Sequence, residues 1–167
     1  MINITKNYTI SIKLLIFLIL LIGCSSKEKD SATVVLNDIQ IYKTGLSSLE
    51  NENYKKAIIE FDNLSLNHPF SSLAKKSDIM TAYSLYQNNE IKKSISKLKI
   101  FIEMNPNDEF SDYAHYLLAM CYYIQVSNQG RDPSLSIKAL NSFMLIITKY
   151  PNSKYAKDSK LKIQFIK

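Results

Sequence analysis

The side chains best suited to chemistry in this sequence are two histidines, two cysteines and a few adjacent carboxylates. His68 and His115 stand 47 residues apart without acidic or cysteine partners at ligand spacing, so no metal site is expected. Asp108 and Glu109 come just ahead of a helical pattern, where carboxylates stabilise the positive end of a helix. There is no glycine-rich phosphate loop, nucleophile elbow or histidine-based triad, so the chain reads as non-enzymatic and free of cofactors. Arg131 and Asp132 lie in "QVSNQGRDPS", Gln125 to Ser134, and admit two readings. They form a contact to a partner or substrate, or Asp132 caps the following helix while Arg131 bridges neighbouring elements. The net charge of +6 is scattered along the chain without a basic run, which argues against nucleic acid as a partner.

The two cysteines differ in setting. Cys121 lies in "LLAMCYY" and reads as a small core residue. Cys24 directly follows "LLIFLILLIG", Leu14 to Gly23, which is uncharged and preceded by Lys6 and Lys13. So short an apolar run cannot span a bilayer core of about 30 Å, and residues 1–23 read as a signal peptide. "LIGC", Leu21 to Cys24, resembles the lipobox of bacterial lipoproteins, which implies that Cys24 is lipidated and becomes the first mature residue. Each buried methylene contributes about 0.8 kcal/mol, so several acyl chains on one cysteine would hold the protein on a membrane. Ser25 follows where inner-membrane lipoproteins often carry Asp, so the resemblance implies the outer membrane. Residues 24–35 are then expected to be the lipidated cysteine and a polar tether.

The elements that position everything else are helices. Apolar residues recur at helical spacing from Asp38 onward, and three copies of one pattern emerge. Gly45, Ala82 and Ala119 fall at intervals of 37 and 37; Ala57, Ser94 and Ala139 fall at 37 and 45, as do Pro69, Pro106 and Pro151. The eight extra residues of the third copy belong between Ala119 and Ala139. A small residue on each of two helices allows close backbone approach. Phe61, Leu98 and Phe143 then fill the adjoining groove, with Leu64, Phe101 and Ile146 beyond them. Proline closes each unit by removing a donor and disfavouring helix at the residue before it.

This spacing resembles the tetratricopeptide repeat, although Ser94 and Leu98 depart from its usual alanine and aromatic. The fold expected is all-α: a solenoid of about three helical hairpins plus a terminal helix. The repeat domain covers 36–167, with repeats near 38–70, 75–107 and 112–152 and a terminal helix at 153–166. Helices are expected at 36–51, 54–67, 71–88, 91–104, 109–127, 134–149 and 153–166. Repeats of this kind bind peptides or partner domains along their first helices. The candidate lining, one turn to either side of the small positions, is Tyr42, Leu46, Leu49, Ile79, Tyr83, Tyr86, Tyr116, Met120 and Tyr123, with Arg131 from the loop. Each tyrosine also has a plain alternative as core between repeats.

The lipobox, the 37-residue period and the segment from "DYAHYLLAMCYY" through "GRD" to "YPNSKYAKD" together resemble the BamD family, lipoproteins of the outer-membrane β-barrel assembly machinery. "HPFS" and "GLSSLENENYKKAIIEF" in the first repeat match as well. The resemblance implies a lipid-anchored scaffold on the periplasmic face of the outer membrane. Its implied partners are the barrel insertase BamA, other lipoproteins of the complex and unfolded outer-membrane proteins. Family members usually continue for two further repeats, so this chain is expected to be a C-terminally short member. Gln164 stands where a fourth small contact residue would fall, so the last helix is expected to be a terminal cap, to pair with another protein, or to belong to a truncated product. The repeat pattern alone suits other lipoproteins equally, in pilus assembly, envelope–peptidoglycan coordination or the regulation of cell-wall synthases; the "CYY…GRD" segment separates them.

Overall fold

A computed structural model describes residues 29–128 and 133–166, with side-chain surroundings for 37–126 and 133–166. The signal peptide, Cys24, Gly130, Arg131 and Asp132 lie outside the described residues. Seven helices, and no strand, make up the described residues: α1 (Lys29–Glu50), α2 (Tyr54–Asn67), α3 (Ala74–Gln87), α4 (Ile91–Met104), α5 (Ser111–Asn128), α6 (Pro133–Lys149) and α7 (Lys154–Ile166). Val35–Lys167 forms one compact unit. Within it successive helices from α2 onward pack as neighbours, and the first helices of successive hairpins also meet, α3 with α5 and α5 with α7. That is the stacking of a helical-hairpin solenoid.

The small-residue register is the structural core. Ala82 and Ala119 on first helices, and Ala57, Ser94 and Ala139 on second helices, are buried. Phe61, Leu98, Phe143, Leu64 and Ile146 have no exposed surface, and Phe101 is 3% exposed. Gly45 shows why small residues stand here: a Cβ added to it would lie 2.6 Å from Cε1 of Phe61. Ser94 departs from alanine without penalty because its hydroxyl donates to the Ala82 carbonyl at 2.8 Å, across the crossing of α3 and α4. A buried hydroxyl so satisfied costs little. Cys121 is buried and its thiol lies 3.4 Å from that same hydroxyl; burial pushes its pKa up to about 11. It is a core side chain.

The corners between repeats share one chemistry. The amides of His68, Asn105 and Tyr150 donate to carbonyls four residues back, and those of Ser71, Asp108 and Ser153 to the carbonyls of His68, Asn105 and Tyr150. The side chains of Ser71, Asp108 and Ser153 then accept from the amides of Leu73, Phe110 and Tyr155 at 3.2, 3.1 and 3.2 Å. These side-chain turns delay helix entry, so α3 starts at Ala74 rather than at residue 71, and α5 at Ser111 rather than at 109. The turn inside each of the first two hairpins places one residue in the left-handed region, Glu52 at φ 55° and Asn89 at φ 61°.

At its other end, α1 departs from expectation. Residues 29–35, expected as tether, are helical. The stretch "KDSATVV" contains neither proline nor glycine, and Asp30 in its first turn favours the helix N-terminus. Polar locks tie the repeats together. Lys97 on α4 reaches Asp62 on α2 at 2.7 Å and Asp78 on α3 at 3.0 Å. Burial alone would depress the lysine, but both carboxylates outweigh it and hold its pKa above the ordinary value.

Candidate functional site on the first-helix face

The nine residues proposed from sequence to line the first helices fall into three groups. Tyr42 and Ile79 are core and leave the candidate lining. Tyr42 is 7% exposed, sits among Ala57, Phe61, Leu64 and Ala74, and tilts against Phe61 with ring centres 5.4 Å apart. Lys76 covers its outer side, with Nζ 5.2 Å from the ring centre. Ile79, 2% exposed, packs among Ala82, Leu98, Ala114 and Cys121. The physical reason is the stacking itself: one turn before the small residue, a side chain points into the joint with the next repeat.

Tyr116, Met120 and Tyr123 of the third copy are half-buried, and α7 packs over them. Tyr116 stacks on Tyr155 with centres 4.7 Å apart and planes 21° from parallel, and its hydroxyl donates to Asp158 at 2.6 Å. Tyr123 meets Phe143 edge-on at 6.0 Å, with the Lys162 ammonium 5.4 Å from its ring centre. Sequence reasoning treated these residues as wall; the structure also makes them the seat of the last helix. Leu46, Leu49, Tyr83 and Tyr86 form the third group, half-buried against the cores of the first and second hairpins.

Tyr113 was missed from sequence, although it stands one helical turn before Tyr116. It lies 5.2 Å from Tyr155, centre to centre, and packs on the same buried core as Tyr83 and Tyr86. Tyr83 and Tyr86 of α3 and Tyr113 of α5 pack on one core that includes Ala114 and Leu117, and Tyr113 and Tyr116 both meet the ring of Tyr155 on α7. Burial pushes Tyr86 above the ordinary phenol value, with Cys121 and Tyr83 adding to it. Burial also pushes Tyr113 and Tyr116 far above it, with Asp158 contributing at Tyr116. These phenols stay protonated across any physiological pH and keep their donors. The Tyr83 hydroxyl accepts from Gln87 at 2.6 Å. Such a surface offers flat apolar area with hydroxyl groups at its edge, a chemistry for holding side chains and backbone of an extended peptide.

The histidines do other work. His68 ends α2 with Nδ1 3.0 Å from Asp38, and His115 packs against the ring of Tyr150 at 5.6 Å. Among the described residues no three His, Cys, Asp or Glu side chains gather in a metal-binding group, and no helix is long and apolar enough to cross a membrane.

The repeat register, the proline corners and the tyrosine-rich α5 together narrow the comparison with known proteins. The profile of the YfiO family, described as outer membrane lipoproteins, matches residues 36–167. This chain belongs to that family. The YfiO relatives include the outer membrane protein assembly factor BamD of Rickettsia prowazekii, 37% identical over 153 residues, covering 92% of this chain and 61% of the relative. BamD of Caulobacter vibrioides is 32% identical over 147 residues, 86% of this chain and 48% of the relative. BamD of Vibrio cholerae is 25% identical over 166 residues. The chain thus spans about half to two-thirds of the length of these relatives, and the family assignment agrees with the resemblance seen in the sequence.

Proposed function

We propose that this chain is a non-catalytic scaffold of outer-membrane protein assembly, anchored through a lipidated Cys24 on the periplasmic face of the outer membrane. It holds segments of unfolded barrel proteins against the tyrosines of α3 and α5 and engages the insertase BamA and the lipoproteins of its complex. The observation that supports this reading most is that Tyr83 and Tyr86 of α3 and Tyr113 of α5, all half-buried, pack side by side on one core of successive first helices. Tyrosine suits such work because it contributes large contact area at low conformational cost. The relatives' printed name, assembly factor, agrees with a scaffold role.

A photo-crosslinking residue at Gln87, exposed beside Tyr83, tests the reading in the full chain. Unfolded outer-membrane barrel chains should crosslink there, and Tyr83→Ala with Tyr86→Ala should lower the yield about tenfold or more, since each lost aromatic anchor costs about 1–2 kcal/mol. Crosslinks of equal yield in the double variant would reject the site. Affinity isolation from membranes should recover BamA; recovery of pilus or cell-wall proteins without it would reject the assembly role. Cys24→Ser should release the protein from the membrane fraction, and retention there would refute the anchor.

A further inference from the structure

The exposed charges of α2 and α4 are almost all of one sign. Lys55, Lys56, Lys92, Lys93 and Lys99 stand outward, and Glu103 is the lone exposed acid on these two helices. Lys93 is bonded to Glu90, while the other four lysines make no ion pair among the described residues. Among these lysines the same helices expose Ile59, Ile100 and Met104.

Between the two helices runs a groove of about 500 Å³. Thr81 and Leu85 of α3 line its floor, with Ile58 of α2 on one wall and Ser96 and Ile100 of α4 on the other. Lys97, held by Asp62 and Asp78, ties walls and floor together. Lys92 and Lys93 stand at the rim on α4, and Lys55 continues the stripe of Ile58 and Asp62 one turn earlier on α2. The groove belongs to the first two repeats. Tyr42 of α1 packs against α2 on one side, and α5 packs against α3 and α4 on the other, so its opening is set by packing among described helices.

A second copy of the chain, docked groove to groove, would bring lysine against lysine. A flat headgroup surface would meet the lysines but cannot enter a groove between two helices. A helix of another protein can do both, with apolar side chains in the groove and acids at the rim.

We propose that the groove between α2 and α4 binds an acidic amphipathic helix of a partner protein. Its apolar side chains lie over Ile58, Leu85 and Ile100, and its carboxylates meet Lys55, Lys92 and Lys93. This surface belongs to the second helices and the tyrosine face to the first, so the two can be filled at once.

Two designed helical peptides test this against the full chain by fluorescence anisotropy. They share one apolar pattern, flanked by glutamates in one and by lysines in the other. The glutamate peptide should bind about tenfold tighter or more, and high salt should remove the difference. Lys55→Glu, Lys92→Glu and Lys93→Glu together should weaken it about 100-fold, because attraction becomes repulsion at three places. Ile100→Gln, at an exposed position, should weaken it about tenfold. The lysine variant should still crosslink barrel chains at Gln87 as the parent does, which separates this surface from the tyrosine face. In cells, a photo-crosslinker at Ser96 should map by mass spectrometry to a protein segment with acids within one turn of its apolar residues. Equal affinity for the two peptides, or unchanged affinity in the lysine variant, would overturn the proposal. So would Ser96 crosslinks to lipid, to a second copy of the chain, to a segment without acids, or to nothing.

Discussion

Gly45→Ala is the sharpest test of the packing argument, because two effects of known sign oppose each other. Alanine is the better helix former by about 1 kcal/mol, so a glycine in the body of α1 should improve on replacement if only the backbone mattered. The added methyl would lie 2.6, 2.8 and 2.9 Å from three atoms of the Phe61 ring. Carbon atoms rest at about 3.5–4.0 Å, so ring or helix must shift by about 1 Å. Phe61 has no exposed surface and is held by Tyr42, Ala57, Leu64 and Ala74, which leaves the ring no cavity to enter. With the ring held on all sides, overpacking falls in the upper part of its usual range, about 2–3 kcal/mol, and after subtracting the propensity gain we expect a net loss of about 1–2 kcal/mol. For a domain of this size that is a fall in Tm of about 3–8 °C, readable by circular dichroism at 222 nm. Phe61→Leu in the same chain should relieve the clash, so the double variant should lose less than the sum of the two single changes. A Gly45→Ala protein as stable as the parent, or more stable, would refute the claim that close approach at this residue dictates glycine.

Ala119→Trp should destabilise the third hairpin by a few kcal/mol, because Ala119 has no exposed surface where α5 meets Phe143; an unchanged melting temperature would mean the register is misplaced. Glu52→Gly should raise stability by about 1 kcal/mol, since Glu52 holds φ 55° at an exposed turn; urea midpoints that fail to rise would show that its side chain matters more than its backbone. Burial, and then the nearby Lys149, lower the pKa of His115, so the folded state prefers it neutral. Above pH 6.5 it carries no penalty, and as pH falls through 6.5 toward its folded value the unfolded chain gains the proton first and stability drops. His115→Gln should flatten that part of the stability curve; an unchanged slope between pH 7 and 5 would reject the assignment.

Much of this architecture was legible from spacing alone. The expected helix at 54–67 matches α2, and 91–104 matches α4, because asparagine and proline corners bracket them and each carries one apolar stripe. The first helices were harder to bound. A serine or aspartate after the proline draws in the amide two residues on, and helical periodicity has no signal for that turn. The N-terminal extension of α1 was missed for a related reason, since a polar composition was taken as tether although nothing in residues 29–35 breaks a helix.

For the candidate site the sequence named a stripe of side chains along the first helices but not which of them are buried. A period of 3.6 residues says which side chains share a stripe, and together with the 37- and 45-residue intervals it determined the paired helices, the small contact residues and the order of the repeats. Whether a stripe is open or covered depends on elements far along the chain. Tyr42 is closed off by Phe61 and Lys76, Tyr116 and Tyr123 are roofed by α7, and Tyr113 packs on a core shared with α3 and against Tyr155 of α7. Those outcomes belong to tertiary structure, because burial is a property of neighbours brought together by folding and not of any residue's place in its own helix.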